Sequence, residues 1–407
     1  MKPDFAGVFS SDWHIDSTRN LEDTAKCVDF VIAETIRRRD ALGPRVPFCF
    51  THGGDGYRSS HPLPIESDIM HRTRLLRQHG IESEIIVANH DLRESESGGS
   101  VHAFVDMRNL GGSMDVIEEP TIRPVKEPEG GHPIAYRLLV PHLGKALLQR
   151  SGLSYRTYFK QVMSDLISRI PVGSRMILVS HFFVKEAKVG SNDFVVGDDQ
   201  HIPLSDLVDP RLLAVFLGDV HRAQKLADRP LVVYPGSIDR VDFGEADDPK
   251  GFLYYEVYGP EIKIEFIPTP ARRFVHIVAD LSPDQAPGGL WSDVPESPSD
   301  IQAWLEGKIK AMDTRGAIVK VTIRCGSGQK VGVDDRSLSD LLVKLGAERV
   351  RSVNYDMCDA KLQRAPGVTE GLSPVSALEH WASGQEYADG VREQILVAGK
   401  KLISGGE

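Results

Sequence analysis

Cysteine is scarce and spaced for little but packing: the 407 residues hold four, Cys27, Cys49, Cys325 and Cys358, with no CxxC pair. That excludes a zinc ribbon and a disulfide-stapled scaffold, and the apolar stretches around most of these thiols read as reduced packing positions. No apolar run is long enough to span a bilayer, so a membrane protein is not expected. Residues 1–7 also lack an apolar export segment and run straight into a strand-like stretch, which makes a cytoplasmic protein the expectation. Positive charge is in deficit. With 48 Lys+Arg against 58 Asp+Glu the net charge is −10. The molecule as a whole therefore repels nucleic acid, and contact with DNA needs a local basic surface or bound cations. There is no internal repeat and no low-complexity tail.

What is present is an alternation of short apolar strands with amphipathic helices from residue 5 to about 270, the pattern of a layered α/β domain. Strands are expected at 5–10, 47–51, 84–88, 176–180, 212–217 and 231–234, helices at 21–38, 65–78 and 155–168, and a hairpin at 251–268 turning near Gly259-Pro260. Residues 271–358 change rhythm to a small βαβαβ module. A last section, 359–407, offers Ser373-Pro374 as a helix start, followed by Val375, Leu378 and Trp381, and then a stripe of Tyr387, Val391, Ile395, Ala398 and Leu402.

Five short segments carry the chemistry, each set at the end of an expected strand. They are Ser11-Asp12-Trp13-His14, Gly53-Gly54-Asp55, Asn89-His90-Asp91, Ser180-His181 and Gly218-Asp219-Val220-His221. Loops at the carboxyl ends of strands face one crevice, so residues far apart in sequence can converge there. Taken singly, each segment reads as a polar turn, a cap or a hydrogen-bonded core histidine. Together they offer a mixed oxygen and imidazole set suited to two divalent ions such as Mn²⁺. A pair of ions about 3.5 to 4 Å apart activates a water and neutralises charge building on phosphorus. The departing oxygen still needs a proton, and His90 is the candidate general acid.

In this order and completeness, the segments resemble the calcineurin-like metallophosphoesterases, whose pattern runs DxH, GD, GNHD, H and GHxH. The resemblance covers residues 8–222. It places Asp12, His14, Asp55 and His221 around a first ion and Asp55, Asn89, His181 and Asp219 around a second, with His90 the catalytic histidine that is not a ligand. The segment Tyr234-Pro235-Gly236-Ser237-Ile238-Asp239-Arg240-Val241-Asp242-Phe243-Gly244-Glu245 resembles, more narrowly, the SbcD family of double-strand-break repair nucleases. That likeness implies a Mn²⁺-dependent exonuclease on duplex ends and endonuclease on single strands or hairpins, DNA as substrate, a nucleoid location, an SbcC-like ATPase partner and a homodimer. It also implies that 1–270 is the nuclease domain, 271–358 a DNA-guiding cap, and 359–407 a linker with a partner-binding tail.

Three residues depart from the pattern. Ala88 stands where glycine is usual, so the backbone there needs no left-handed conformation. Gly56-Tyr57-Arg58 replaces an apolar pair followed by Asp or His. Asp219 replaces the first histidine of GHxH, and a carboxylate remains a competent ligand. Arg58, Arg272 and Arg273 are the candidate DNA contacts, with Arg349 and Arg351 in the module behind them. His52, His61, His142 and His276 read as structural or surface histidines. Two rivals remain: an esterase for small phosphodiesters or phosphomonoesters, and a scaffold subunit whose second ion site has decayed at Asp219.

Overall fold

Every residue of β1 (Phe5–Ser10) is buried, as a short apolar run without alternation requires of a strand covered on both faces. The computed structural model describes residues 2–16, 21–58, 63–94, 100–102, 104, 114–127, 130–144, 148–149, 151–188, 201–281, 297–325, 330, 332–357, 373–383 and 389–403. They fall into two compact units, Met1–Val275 and His276–Glu407.

In the first unit β1 is followed by α1 (Leu21–Leu42), β2 (Phe48–His52), α2 (Leu63–Gln78) and β3 (Glu82–Ile86). A small hairpin of β4 (Leu92–Glu94) and β5 (Ser100–His102) comes next, and β6 (Asp115–Ile117) returns to pair in parallel with β3. The chain then builds β7 (Thr121–Val125), β8 (Ala135–Val140), α3 (Tyr155–Ser168), β9 (Met176–His181), β10 (Leu212–Gly218), β11 (Gln224–Asp228) and β12 (Leu231–Tyr234). The hairpin of β13 (Gly251–Tyr258) and β14 (Glu261–Pro268) turns at Gly259-Pro260 as expected.

Two sheets result, ordered β14-β13-β1-β2-β3-β6 and β11-β12-β10-β9-β8-β7. The first runs parallel from β1 to its edge at β6, with the antiparallel β13 and β14 on the other side, and the second has a parallel centre with antiparallel β11 and β7 at its edges. Phe5, Phe9, Ile86, Tyr255 and Leu253 of the first sheet pack with Leu139, Ile177, Val179 and Phe216 of the second in one buried cluster. Cys27, Val28, Val31 and Ile32 of α1 cover the outer face of the first sheet, while Tyr155, Phe159, Met163 and Leu166 of α3 cover that of the second. The fold is therefore the layered α/β architecture expected. A buried polar link crosses between the sheets. Arg137 on β8 and Glu84 on β3, each 1% exposed, are ion-paired, with Glu82 3.1 Å from the same guanidinium.

Several details differ from expectation. β3 begins and ends two residues earlier, because Ser83 and Glu84 lie buried in the strand, with Glu84 neutralised by Arg137. The short β4, β5, β6, β7 and β11, and also β8, were not expected. β7 carries Pro124, which is tolerated because the strand forms the sheet edge.

From His276 on, the second unit contains nearly all of the βαβαβ module: β15 (Phe274–Asp280), α4 (Pro298–Lys310), β16 (Ile318–Cys325), α5 (Asp335–Lys344) and β17 (Arg349–Met357), with sheet order β15-β16-β17. Asp334 caps α5 by accepting from the backbone N–H groups of Arg336 and Ser337. Two helices, α6 (Pro374–Ser383) and α7 (Asp389–Ile403), follow. Val391 and Leu402 of the expected stripe are exposed on α7. Cys358, Tyr387, His61 and residues 359–372 of the last section lie outside the described residues. No helix among the described residues is long and apolar enough to cross a membrane.

Candidate metal centre

Where the parallel strands run out, the backbone turns sharply. Among the described residues four non-glycine residues have positive φ: Asp12 (55°), His14 (44°), Asp55 (54°) and Asp219 (94°). All four belong to the segments singled out above. Such conformations are costly for L-residues and persist only where surroundings over-determine them. The surroundings here are hydrogen bonds between loops, with Asp12 N donating to Gly54 O (3.1 Å), His14 N to Asp55 O (3.0 Å) and Gly53 N to Ser10 O (2.8 Å). Asp91 completes the frame. Its Oδ2 accepts from Asp55 N (2.9 Å) and Ala88 N (3.0 Å), and its Oδ1 from Gly56 N (3.0 Å) and Tyr57 N (3.3 Å).

Two glycines permit the close approach. A Cβ on Gly54, at φ 94°, would sit 2.5 Å from the Ala88 methyl, so the alanine that replaces the usual glycine is housed against a residue with no side chain. A Cβ on Gly218 would lie 2.5 Å from His181 Nδ1 and 2.6 Å from Gly53 O. Ala88 has no positive φ, in line with the sequence reading.

These loops bring two groups of side chains together, Asp12 with His14 and His221, and Asp12 with Asp55 and His181, with donor atoms within 4.8 Å of one another in each group. His14 Nε2 is 2.8 Å from His221 Nε2, 3.8 Å from Asp12 Oδ1 and 3.6 Å from Asp55 Oδ2. His181 Nε2 is 3.4 Å from Asp55 Oδ2 and 3.8 Å from Asp219 Oδ1. Asp219 lies outside both three-residue groups but beside the second, its N–H donating to the Asp12 carboxylate (3.2 Å).

The histidine tautomers follow from outer contacts. His181 Nδ1 faces Gly53 O at 2.7 Å, and a carbonyl can only accept, so Nδ1 carries the proton. His221 Nδ1 is 2.7 Å from Glu245 Oε1, which assigns its proton in the same way. Both Nε2 atoms are then the ones turned into the cluster, available to a cation that displaces a proton. His181 Nε2 is buried and lacks a hydrogen-bond partner, an orphaned donor atom of the kind a cation satisfies.

Electrostatics agree with that fit. Burial alone would lower the His181 pKa, yet Asp55, Asp12 and Asp219 raise it well above the ordinary value. A field that favours a proton there also favours a divalent ion. Asp55 is held well below the usual carboxylate range, with burial opposing and His181 and His14 prevailing. Burial pushes Asp12 up to about 6, against the pull of His181 and His221. Glu245 is held at about 2, burial being outweighed by the bond from His221 and the charge of Lys250.

Of the other expected site residues, His90 stands at the rim with 44% of its side chain exposed and Nε2 4.0 Å from Asp55 Oδ2, while its backbone N–H donates to Asp55 Oδ1 (3.0 Å). Asn89 is exposed in the same turn. Arg58 is half-buried, its N–H donating to Ile15 O at 3.1 Å. Arg272 and Arg273 belong to the first unit, not to the βαβαβ module. Arg272 is gripped by Asp23 through two bonds of 2.5 and 2.6 Å, which offsets its charge as a DNA contact, and Arg273 is exposed. Asp91, Glu245 and Lys250 were not singled out in the sequence. The first closes the Asn89-His90-Asp91 segment, and Glu245 ends the segment 234–245, so position offered the only signal.

His52 adds a pH effect. It is fully buried beneath the loops, accepts from Gly54 N at 3.1 Å, and burial together with the charge of His181 lowers its pKa from 6.5 to about 3. The unfolded chain therefore binds an extra proton between these values, so this contribution to stability is complete above pH 6.5 and lost as pH falls toward 3. His52→Gln, which keeps an acceptor, is expected to flatten the acid limb of a stability-against-pH curve in chelator by up to about 1.4 kcal/mol per pH unit in that window. Denaturant titrations across the range check this, and an unchanged slope would remove His52 from the account.

No known family model matches the sequence. Among solved structures, phosphopantetheinyl hydrolase (PptH) from Mycobacterium tuberculosis is similar at 13% sequence identity and a TM-score of 0.33, over 58% of this chain and 91% of that one. A likeness of that degree says nothing of what this chain acts on. The chain's own Asp and His groups could hold a metal ion, and their arrangement suits a metal-dependent hydrolase.

Proposed function

We propose that the chain is a metal-dependent phosphodiesterase acting on DNA. The observation that carries the reading is the meeting of Asp12, His14, Asp55, His181 and His221 from separate strand ends, with Asp55 3.6 Å from His14 and 3.4 Å from His181. In this reading Asp12, His14, Asp55 and His221 hold one divalent ion and Asp55, Asn89, His181 and Asp219 a second, Mn²⁺ being suited to the mixed donors. Such ions supply Lewis acidity and a water nucleophile at neutral pH. The chain's own residues hold lone pairs and protons in place. Gly53 O and Glu245 keep the Nδ1 protons of His181 and His221 turned outward. His90, exposed at the rim, is placed to give a proton to the departing ester oxygen.

The segment 234–245, which contributes Glu245 to this centre, supports the narrower reading of an SbcD-like repair nuclease. There the βαβαβ module guides DNA, α6 and α7 dock an SbcC-like ATPase, and the nuclease subunit forms a homodimer. An assay in Mn²⁺ comparing labelled duplex DNA, a chromogenic bis-phosphodiester and a phosphomonoester tests it. Cleavage of DNA is expected. Preference for either small ester would replace the nuclease with a small-substrate esterase, and ion binding without cleavage of any of the three would favour the scaffold. His90→Ala is expected to cut the rate by roughly 10²- to 10⁴-fold, the usual worth of a general acid, while metal analysis of the purified variant finds the parental ion content. Loss of an ion in step with activity would instead make His90 a ligand.

A further inference from the structure

Behind His221 lies a buried lysine that none of the metal-ligand pattern requires. Lys250 is 3% exposed and Glu245 7%. An unpaired ammonium in such a place is costly, but all three of its protons are used. Lys250 Nζ donates to Glu245 Oε2 (2.8 Å), to Ser237 Oγ (2.9 Å) and to the carbonyl oxygen of His221 itself (3.1 Å). Glu245 in turn accepts from Val241 N (2.9 Å) through Oε2, leaving Oε1 for His221 Nδ1 (2.7 Å). One ammonium thus grips His221 at both ends, the backbone directly and the ring through a carboxylate that cannot rotate away. A buried ion pair is weak grounds for stability as such, so the geometry points to orientation as its purpose.

We propose that Lys250 is a positioning residue that fixes the ring plane and tautomer of His221 through Glu245, and so governs how tightly the centre takes a divalent cation. This rests on the metal-centre reading above. Without the lysine, Glu245 keeps only the Val241 N–H on Oε2, a looser hold that lets the imidazole move its proton to Nε2, where an N–H would face the cation in place of a lone pair.

The test compares the parent with Lys250→Met, Lys250→Arg and His221→Ala. Histidine side-chain NMR of the metal-free proteins reads the His221 tautomer, and calorimetric titration with Mn²⁺ reads affinity. Lys250→Met is expected to give a tautomer mixture and a loss of affinity of roughly 10- to 100-fold, the usual effect of removing an outer partner of a ligating histidine. Lys250→Arg should recover part of both. If Lys250→Met keeps the parental tautomer and affinity while His221→Ala loses the ion, the proposal is overturned, even where the methionine variant is less stable. If His221→Ala binds Mn²⁺ like the parent, the metal-centre assignment itself fails and takes the proposal with it. Should Lys250→Met not fold, Glu245→Asp keeps the charge beside Lys250 but draws the carboxylate back from Nδ1, and the same affinity loss is expected.

Discussion

Asp55→Asn is expected to abolish ion binding by the Asp12, Asp55 and His181 group, weaken it at the neighbouring group, and lower phosphodiester cleavage by about 10³-fold or more. The amide is nearly isosteric and can still accept from His90 N, so the loops should keep their course. What disappears is the negative charge that lies 3.6 Å from His14 and 3.4 Å from His181. Metal Lewis acidity is worth several kcal/mol to such a reaction, and each ~1.4 kcal/mol is tenfold in rate. Metal analysis beside single-turnover kinetics checks the result. A folded variant with parental ion content and rate would show that Asp55 holds neither ion.

The second large effect is on stability. Asp91→Ala leaves the backbone N–H groups of Asp55, Gly56, Tyr57 and Ala88 without their common acceptor. Each buried, unsatisfied donor costs about 1–3 kcal/mol, so a total of roughly 4 kcal/mol or more is expected even if water reaches some of them. Against the 5–15 kcal/mol typical of folded domains, that puts the variant near or past unfolding. Asp91→Asn keeps one acceptor oxygen and should fall between the two. Thermal and denaturant unfolding in chelator measure this, and an alanine variant within about 1 kcal/mol of the parent would mean that the loops after β2 and β3 hold their shape by other means.

The candidate metal centre was legible because its residues follow buried apolar runs, where a charged or imidazole side chain has no packing reason to be. Asp12, Asp55, His181 and Asp219 could be placed that way, since the end of a parallel strand determines where the next residue goes. Glu245 and Lys250 could not, because their partner His221 lies on the far side of β11 and β12 and only the folded chain brings them together. The same limit explains Glu84, a carboxylate 1% exposed whose partner Arg137 is distant in sequence. Strands β6, β7 and β11 were illegible for another reason. They are three to five residues long and mostly half-buried or exposed, so no alternation marks them. The ion pair of Arg272 with Asp23, on α1, was likewise beyond what the sequence could place.

The first sheet is finished only by the hairpin of β13 and β14, after the whole second sheet has been made, and this sets a timetable for the growing chain. Phe5 pairs with Val257, so at ~5–20 residues per second one side of β1 waits roughly 10 to 50 s on the ribosome for its neighbour. Its other side meets β2 much sooner. During that interval an apolar strand presents an open row of amides and carbonyls, the arrangement most prone to recruit a strand from another molecule. Nascent chains halted before Gly251 should therefore be the ones that need chaperones, and those released after Pro268 should not.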